Sequence, residues 1–489
     1  MKKLINNAII FGLMIVLTAG CSESFLDKNH PGVLTLDKLY HTSEDFNAAL
    51  AGCYQSIMGP ATYNVYIGDI PGDNVFITSY QPSGAMVDID KLVVSALNSD
   101  LNTDWSNNYT TIQRVNLLLD KLAGSPLSDT DKKLFAAEAK FLRAYSYFSL
   151  VRIFGGVPVY DKVTDIATIY DVPRSSTDDV FKLVISDLTE AKNIDSYRTS
   201  ANQAKAGGKA STVAAKTLLG KVYMWKKDFA NAETTLADVI ATSGKQLETL
   251  SVLFDPDQPF NKEIIFSINY DRVGNFSSPF VTASIPYNCP VGIYPNVTTK
   301  GGSGVFMIEP AFLRKFSPDD KRASQLIATT AFSNLGIFDT WNYSTKYLDL
   351  KTTFNYWSGA NTIILRYADV LLMYAEALNE NGKTAQAYTY INQVRTRAGL
   401  PNLTAGFTKA QMFQALADER AKEFLLEGDR WFDMVFRGLP FLKQEMNSYI
   451  PNAYLTQNRI ITVKENCLLF PIPDTQIQIK PVLTQNPGY

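Results

Sequence analysis

Three glutamates at four-residue steps, Glu419, Glu423 and Glu427, form the densest set of reactive side chains in this 489-residue chain. They lie in the run Glu419-Arg420-x-x-Glu423-x-x-x-Glu427-Gly428-x-Arg430-Trp431-x-Asp433-Met434. Paired carboxylates cleave a glycosidic bond when they stand about 5 to 9.5 Å apart on opposite sides of the sugar. Four-residue steps put these three on one side of a single helix, the wrong arrangement for two-sided attack. Arg420 and Arg430 offer charge partners, so the run reads as a structural ion network at helix ends.

The rest of the chemical inventory points the same way. The chain has two histidines, His30 and His41, both near its start. Hydrolytic triads, imidazole acid/base pairs and most zinc sites need histidine inside a cleft, so catalysis of those kinds is not expected. Gly301-Gly302-Ser303-Gly304 lacks the lysine of a phosphate loop, and Asp255-Pro256-Asp257 lacks the glycine and glutamate of a calcium loop. No cofactor and no metal ion is predicted. Cys53, Cys289 and Cys467 form no C-x-x-C pair and read as buried apolar residues with at most one disulfide. A formal net charge of −2 with no basic stripe argues against a nucleic-acid partner.

One cysteine is different. Lys2 and Lys3 precede an apolar run from Ala8 to Leu17, which ends in Leu17-Thr18-Ala19-Gly20-Cys21. The run is shorter than the roughly 17 to 25 residues that span a bilayer, and small residues stand before the cysteine. It reads as a bacterial lipoprotein leader, residues 1–20, removed to leave Cys21 for lipidation, although Thr18 stands where leucine is usual. The most apolar later stretch, read as a helix from Ile363 to Leu378, is interrupted by Arg366, Asp369 and Glu376. The lipid anchor is then the protein's only hold on a membrane.

The positioning elements are mainly helices. Gly220 is followed by Ala232, Leu236 and Val239 at the same offsets at which Ala375 is followed by Ala387, Ile391 and Val394. A small residue midway along one helix admits a close crossing, and the later residues form the stripe that crosses it. Each segment is a predicted helical hairpin, turning at Lys227-Asp228 and at Asn381-Gly382, and resembles a tetratricopeptide unit. Further helices are predicted over Trp105–Leu122, Phe135–Phe154 and Val180–Ala191, the last capped by the Ser175-Ser176-Thr177 run. Another opens at a Thr408/Gln411 capping box and runs through Leu426.

From 244 to 360 the helical period disappears, and prolines, aromatics and short apolar runs such as Ile264–Ile268 take over. The predicted fold is mostly α: one domain over 21–489, a helix-pair scaffold at about 31–243 and 361–489 around this irregular, short-strand insertion. Aromatics in loop-like surroundings include Tyr63, Tyr66, Tyr343, Tyr356 and Trp357. Sugar rings stack on aromatic faces, and Asn and Asp take their hydroxyls. The candidate ligand contacts are Asp73, Asn74, Tyr80, Tyr287, Tyr294 and Trp341.

Several blocks together resemble the SusD/RagB family. They are Cys21 with Phe25-Leu26-Asp27, Ala139–Tyr145 running into Phe154-Gly155-Gly156-Val157-Pro158, Leu365–Ala377, Glu419–Gly438, and the ending from Leu469-Phe470-Pro471-Ile472-Pro473 to Gln485–Tyr489. Phe436-Arg437 departs from the family's usual order of arginine first and aromatic second. The resemblance implies a lipoprotein of the outer-membrane surface that binds a nutrient, usually a glycan, and works with a SusC-like TonB-dependent transporter. Peptide capture on the same fold is the alternative. A surface hydrolase is opposed by the missing histidines, and a pure tetratricopeptide scaffold would leave the aromatic insertion unexplained.

Overall fold

The computed structural model describes residues 39–78, 83–165, 167–199, 208–272, 277–286, 302–334, 337–352, 357–447 and 461–489, with side chains in 330–340 outside the description. Helix α1 (Ser43–Ser56) opens at a capping box in which Thr42 and Asp45 satisfy each other's backbone amides. After it come α2 (Met58–Asp69), α3 (Ser99–Ala123), α4 (Asp129–Phe154) and α5 (Thr177–Ala191). Both α3 and α4 start one to two turns before the apolar stripes that announce them, because Asn98 and Ser128 cap them from polar leading turns. Ser176 caps α5 by accepting from the Asp179 amide. Helix α4 packs between α3 and α5 and is buried along almost its whole second half, ending where Gly155 takes φ 75°.

The repeated pattern forms two hairpins. The first pairs α6 (Thr212–Trp225) with α7 (Phe229–Thr242) through a turn in which Lys227 adopts φ 58°. A β-carbon on Gly220 would lie 2.6 Å from Leu236 Cδ2, so the close crossing requires glycine there. Ala232, Leu236 and Val239 are fully buried against it.

Strands begin with β1 (Val75–Phe76) and β2 (Ile264–Ile268). They continue with β3 (Met307–Ile308), β4 (Ile327–Asn334) and β5 (Ile337–Ser344), preceded by the short helix α8 (Lys321–Leu326). The four-stranded sheet runs β1-β3-β5-β4, all antiparallel. Strand β6 (Thr362–Arg366) pairs antiparallel with β2 across an irregular register. This corrects the helix expected from Ile363: Thr362-Ile363-Ile364 is a β-branched run and extends as a strand. The helix begins only at Tyr367.

The second hairpin joins α9 (Tyr367–Glu380) to α10 (Thr384–Arg397) at Gly382, φ 76°, with Ala387, Ile391 and Val394 fully buried. Helix α7 packs on α9, α5 on α6, and α11 (Lys409–Glu423) on α9, so the pairs stack into one helical layer. The Thr408/Gln411 capping box opens α11 as its sequence predicts. The helix stops at Glu423 rather than Leu426, which takes the left-handed φ of 62°. Helix α12 (Arg430–Arg437) follows and packs on α2. Among the described residues no helix is long and apolar enough to cross a membrane. Cys53 and Cys467 are buried free thiols, and burial pushes the Cys53 thiol up to about 12; Cys289 lies outside the described residues.

Candidate functional site

The loop after α2 carries Asp73 and Asn74, and the structure turns both inward. A β-carbon on Gly72 would meet Asn74 Oδ1 at 2.8 Å and Asp69 O at 3.0 Å, so glycine permits the tight return. Asn74, fully buried, donates to Asp69 Oδ1 at 2.6 Å, and Asp69 Oδ2 accepts from the Gly428 amide at 2.6 Å. Asp73, 4% exposed, accepts from Arg430 Nε at 2.6 Å and Nη2 at 2.8 Å, and from Lys315 Nζ at 3.0 Å. Glu445 completes the cluster, accepting from the same lysine and arginine. Burial works against the Asp73 carboxylate, but Arg430 and Lys315 outweigh it and hold the carboxyl well below its usual range. Burial pushes Asp69 the other way, up to about 7. The expectation that Asp73 and Asn74 receive ligand hydroxyls is therefore corrected: both side chains are buried, the Asp73 carboxylate is taken up by Arg430 and Lys315, and Asn74 spends its amide group on Asp69, leaving its Oδ1 enclosed without a donor.

Trp341 is corrected for a related reason. It lies on β5, is 4% exposed, and packs with Phe76, Met307 and Tyr343 in a small apolar cluster, its ring 6.3 Å from that of Phe76. A ring so covered presents no face for a sugar in this arrangement. Tyr63 and Tyr66 are on α2, not in a loop, and Tyr66 stacks on Phe306 at 5.3 Å. Trp357 is half-buried. Tyr80, Tyr287, Tyr294 and Tyr356 lie outside the described residues, as do Cys21 and His30.

The glutamate run is the ionic centre of the protein. Glu419 accepts from Arg322 Nη1 at 2.6 Å and Arg395 Nη1 at 3.2 Å. Glu423 accepts from Arg366 Nη1 at 2.5 Å, from Arg322 Nη1 at 3.1 Å, and from Arg397 Nη2. Glu427 lies in the turn beyond α11, off the helix, and accepts from Arg366 Nε and Lys346 Nζ, both at 2.6 Å. Burial opposes the Glu423 charge, yet Arg397, Arg366 and Arg322 hold its carboxyl well below the usual value. Such a group neither donates a proton near neutrality nor has an oxygen to spare as nucleophile.

The partners differ from those nearest in sequence. Arg420 serves Asp369 at 2.7 Å and Asp433 at 2.9 Å, while Arg430 serves Asp73. Arg322, Arg366, Arg395, Arg397 and Lys346 are the cations that hold the glutamates, and sequence reasoning missed them. A usable signal existed: Arg366 and Asp369 interrupt an otherwise apolar run, and a charge there must be paired once buried. Asp255-Pro256-Asp257 is a self-bonded turn in which Asp255 Oδ1 accepts the Asp257 amide, and Asp257 pairs with Arg272 and Lys351. Among the described residues, no group of three or more His, Cys, Asp or Glu side chains could hold a metal ion. An open groove of about 1040 Å³ lies beside α10, walled by residues 245–251.

Comparison with known proteins completes the picture. The model of the SusD family matches residues 327–489, and a second model, described as starch-binding associating with outer membrane, matches residues 24–224. A SusD-like protein of Formosa agariphila is 28% identical over 503 aligned residues, which cover 94% of this chain and 96% of the relative. The chain belongs to the SusD/RagB family. A solved SusD superfamily protein from Parabacteroides distasonis superposes with a TM-score of 0.77 at 26% identity, covering 92% of this chain and all of the other. Surface glycan-binding protein A from Bacteroides uniformis shares the fold, with a TM-score of 0.76 at 23% identity over 91% of this chain and 99% of that one. In this SusD/RagB chain, the blocks Leu365–Ala377 and Glu419–Gly438 meet in space within the buried ion network.

Proposed function

We propose that this protein captures a glycan at the outer-membrane surface, without cleaving it, for delivery to a SusC-like TonB-dependent transporter. The observation that carries the reading is family membership, with a starch-binding, outer-membrane-associating model matching 24–224. The name of the B. uniformis neighbour, a surface glycan-binding protein, supports the same ligand class. The absence of turnover is supported by the glutamate run, whose carboxylates are neutralised by guanidinium and ammonium groups. The leader ending at Cys21 supports attachment by lipid. Tyr80, Tyr287 and Tyr294 remain the proposed stacking residues.

The test is native purification of the tagged full-length protein from outer membranes of its host. A TonB-dependent transporter co-isolating in stoichiometric amount, with oligosaccharide in the eluate, is the expected result. Recovery of the protein alone, or with peptide in place of sugar, contradicts the reading.

A further inference from the structure

The groove beside α10 is built from parts that hold one another rigidly. Its floor is the outer stripe of α10, where Tyr388, Asn392 and Thr396 follow at four-residue steps, flanked by Thr389 and Gln393. One wall is the segment 245–251. Arg397 Nη1 donates to Glu248 O at 3.2 Å, and the Glu248 amide donates to Glu263 Oε2 at 2.9 Å, fixing that wall to the floor. The other side is the start of α8, where the Lys321 amide donates to Ala398 O at 2.9 Å. A groove with tied walls costs a ligand little reorganisation.

Two of its three cations are held by the protein itself. Arg397 is committed to Glu263 and Glu423. The Lys245 amine donates to Ile264 O. Glu248 and Lys321, also in the lining, are of opposite sign. Most of the lining side chains end in an amide or a hydroxyl on an apolar stem: Asn392 uses Oδ1 on the Leu403 amide and keeps its amide protons, while Gln246, Gln325 and Gln393 are exposed. The Gln246 and Glu248 amides are already paired, so the wall is a poor edge for adding a peptide strand.

We propose that this groove is a second carbohydrate subsite, separate from the loop aromatics, which takes a linear neutral oligosaccharide through amide and hydroxyl contacts beside the Tyr388 ring. The proposal rests on the glycan-binding reading above. A second subsite on the same body raises the retention of a long chain, because once one end is held the other binds at high effective concentration.

The test titrates the soluble fragment beginning at Ser22 with maltoheptaose, laminariheptaose, cellohexaose, xylohexaose and mannohexaose, read by calorimetry and by hydrogen exchange. Thr389→Trp fills the groove from an exposed position, and the double variant Gln246→Ala, Gln325→Ala thins its contacts without touching the core. The expected result is exchange protection over 245–251 and 388–397 and affinity at that site about tenfold weaker in both variants. Binding that protects other segments only, with affinity unchanged in both variants, overturns the subsite and leaves glycan capture standing. Binding of no probe at millimolar concentration overturns both. Variants that melt like the wild type exclude unfolding as the cause of a loss.

Discussion

Replacing Glu423 by glutamine removes one negative charge and one acceptor from the point where three arginines converge. Its side chain is 1% exposed, and its two oxygens serve Arg366, Arg397 and Arg322. The glutamine keeps one carbonyl oxygen but turns an amide group toward guanidinium donors. The arginines retain other partners, Glu263, Glu419, Glu427 and Asp320, so the network is weakened rather than abolished. Breaking a buried pair from one side costs about 3–5 kcal/mol, and we expect Glu423→Gln to fall in that range. The pH dependence has a definite sign. The folded-state pKa lies below the unfolded value of about 4.3, so the stabilisation is present above that value and is lost as pH falls through the folded one. The variant should therefore lose stability at neutral pH and show a shallower acid limb. Urea unfolding of the soluble fragment at neutral and acid pH measures both. A neutral-pH loss below about 1 kcal/mol, with an unchanged acid limb, refutes the structural role assigned to this carboxylate.

Gly428 sits at φ 80° where the turn after α11 touches α2, and a β-carbon there would lie 2.9 Å from Asn64 O and Val65 Cα. Gly428→Ala should cost about 2 kcal/mol or more, and a melting temperature equal to wild type would show that the turn is not so constrained. Asp104 is raised to about 8, chiefly by burial, so its contribution is full below the unfolded value of about 3.9 and declines as pH rises toward 8. Asp104→Asn should flatten the thermal stability profile across that window, and a parallel profile would reject the assignment. Cys21→Ala should leave the body folded but unacylated and released from membranes. Labelling with fatty acid followed by fractionation decides that, since continued acylation and retention would remove Cys21 as the anchor.

The parts legible in the sequence are those fixed by local rules. The hairpins around Gly220 and Ala375, their turns and the Thr408 cap each depend on residues within a few helical turns, and each formed where spacing placed it. What failed depended on distant partners. Asp73 and Asn74 look like an exposed polar turn until Arg430, far along the chain, reaches Asp73 from α12 and Gly428 meets Asp69. Trp341 sits among Asn and Thr, yet strand pairing of β5 carries it into contact with Phe76. The spacing of Glu419 and Glu423 predicts an ion network, and they form one, but with Arg322 and Arg366 in place of Arg420 and Arg430, because these partners come from a different helix and a strand. The groove beside α10 was illegible for the same reason: one wall belongs to 245–251 and its floor to the second hairpin.

The most direct test of the central claim is calorimetry of the soluble fragment against neutral oligosaccharides, followed by long incubation and analysis of the sugar recovered. The account predicts saturable binding of at least one glycan, weakened by Tyr287→Ala or Tyr294→Ala, with the ligand recovered at full length. Failure of every glycan to bind, or the appearance of shortened products that vanish in a Glu419→Gln variant still able to fold, would contradict it.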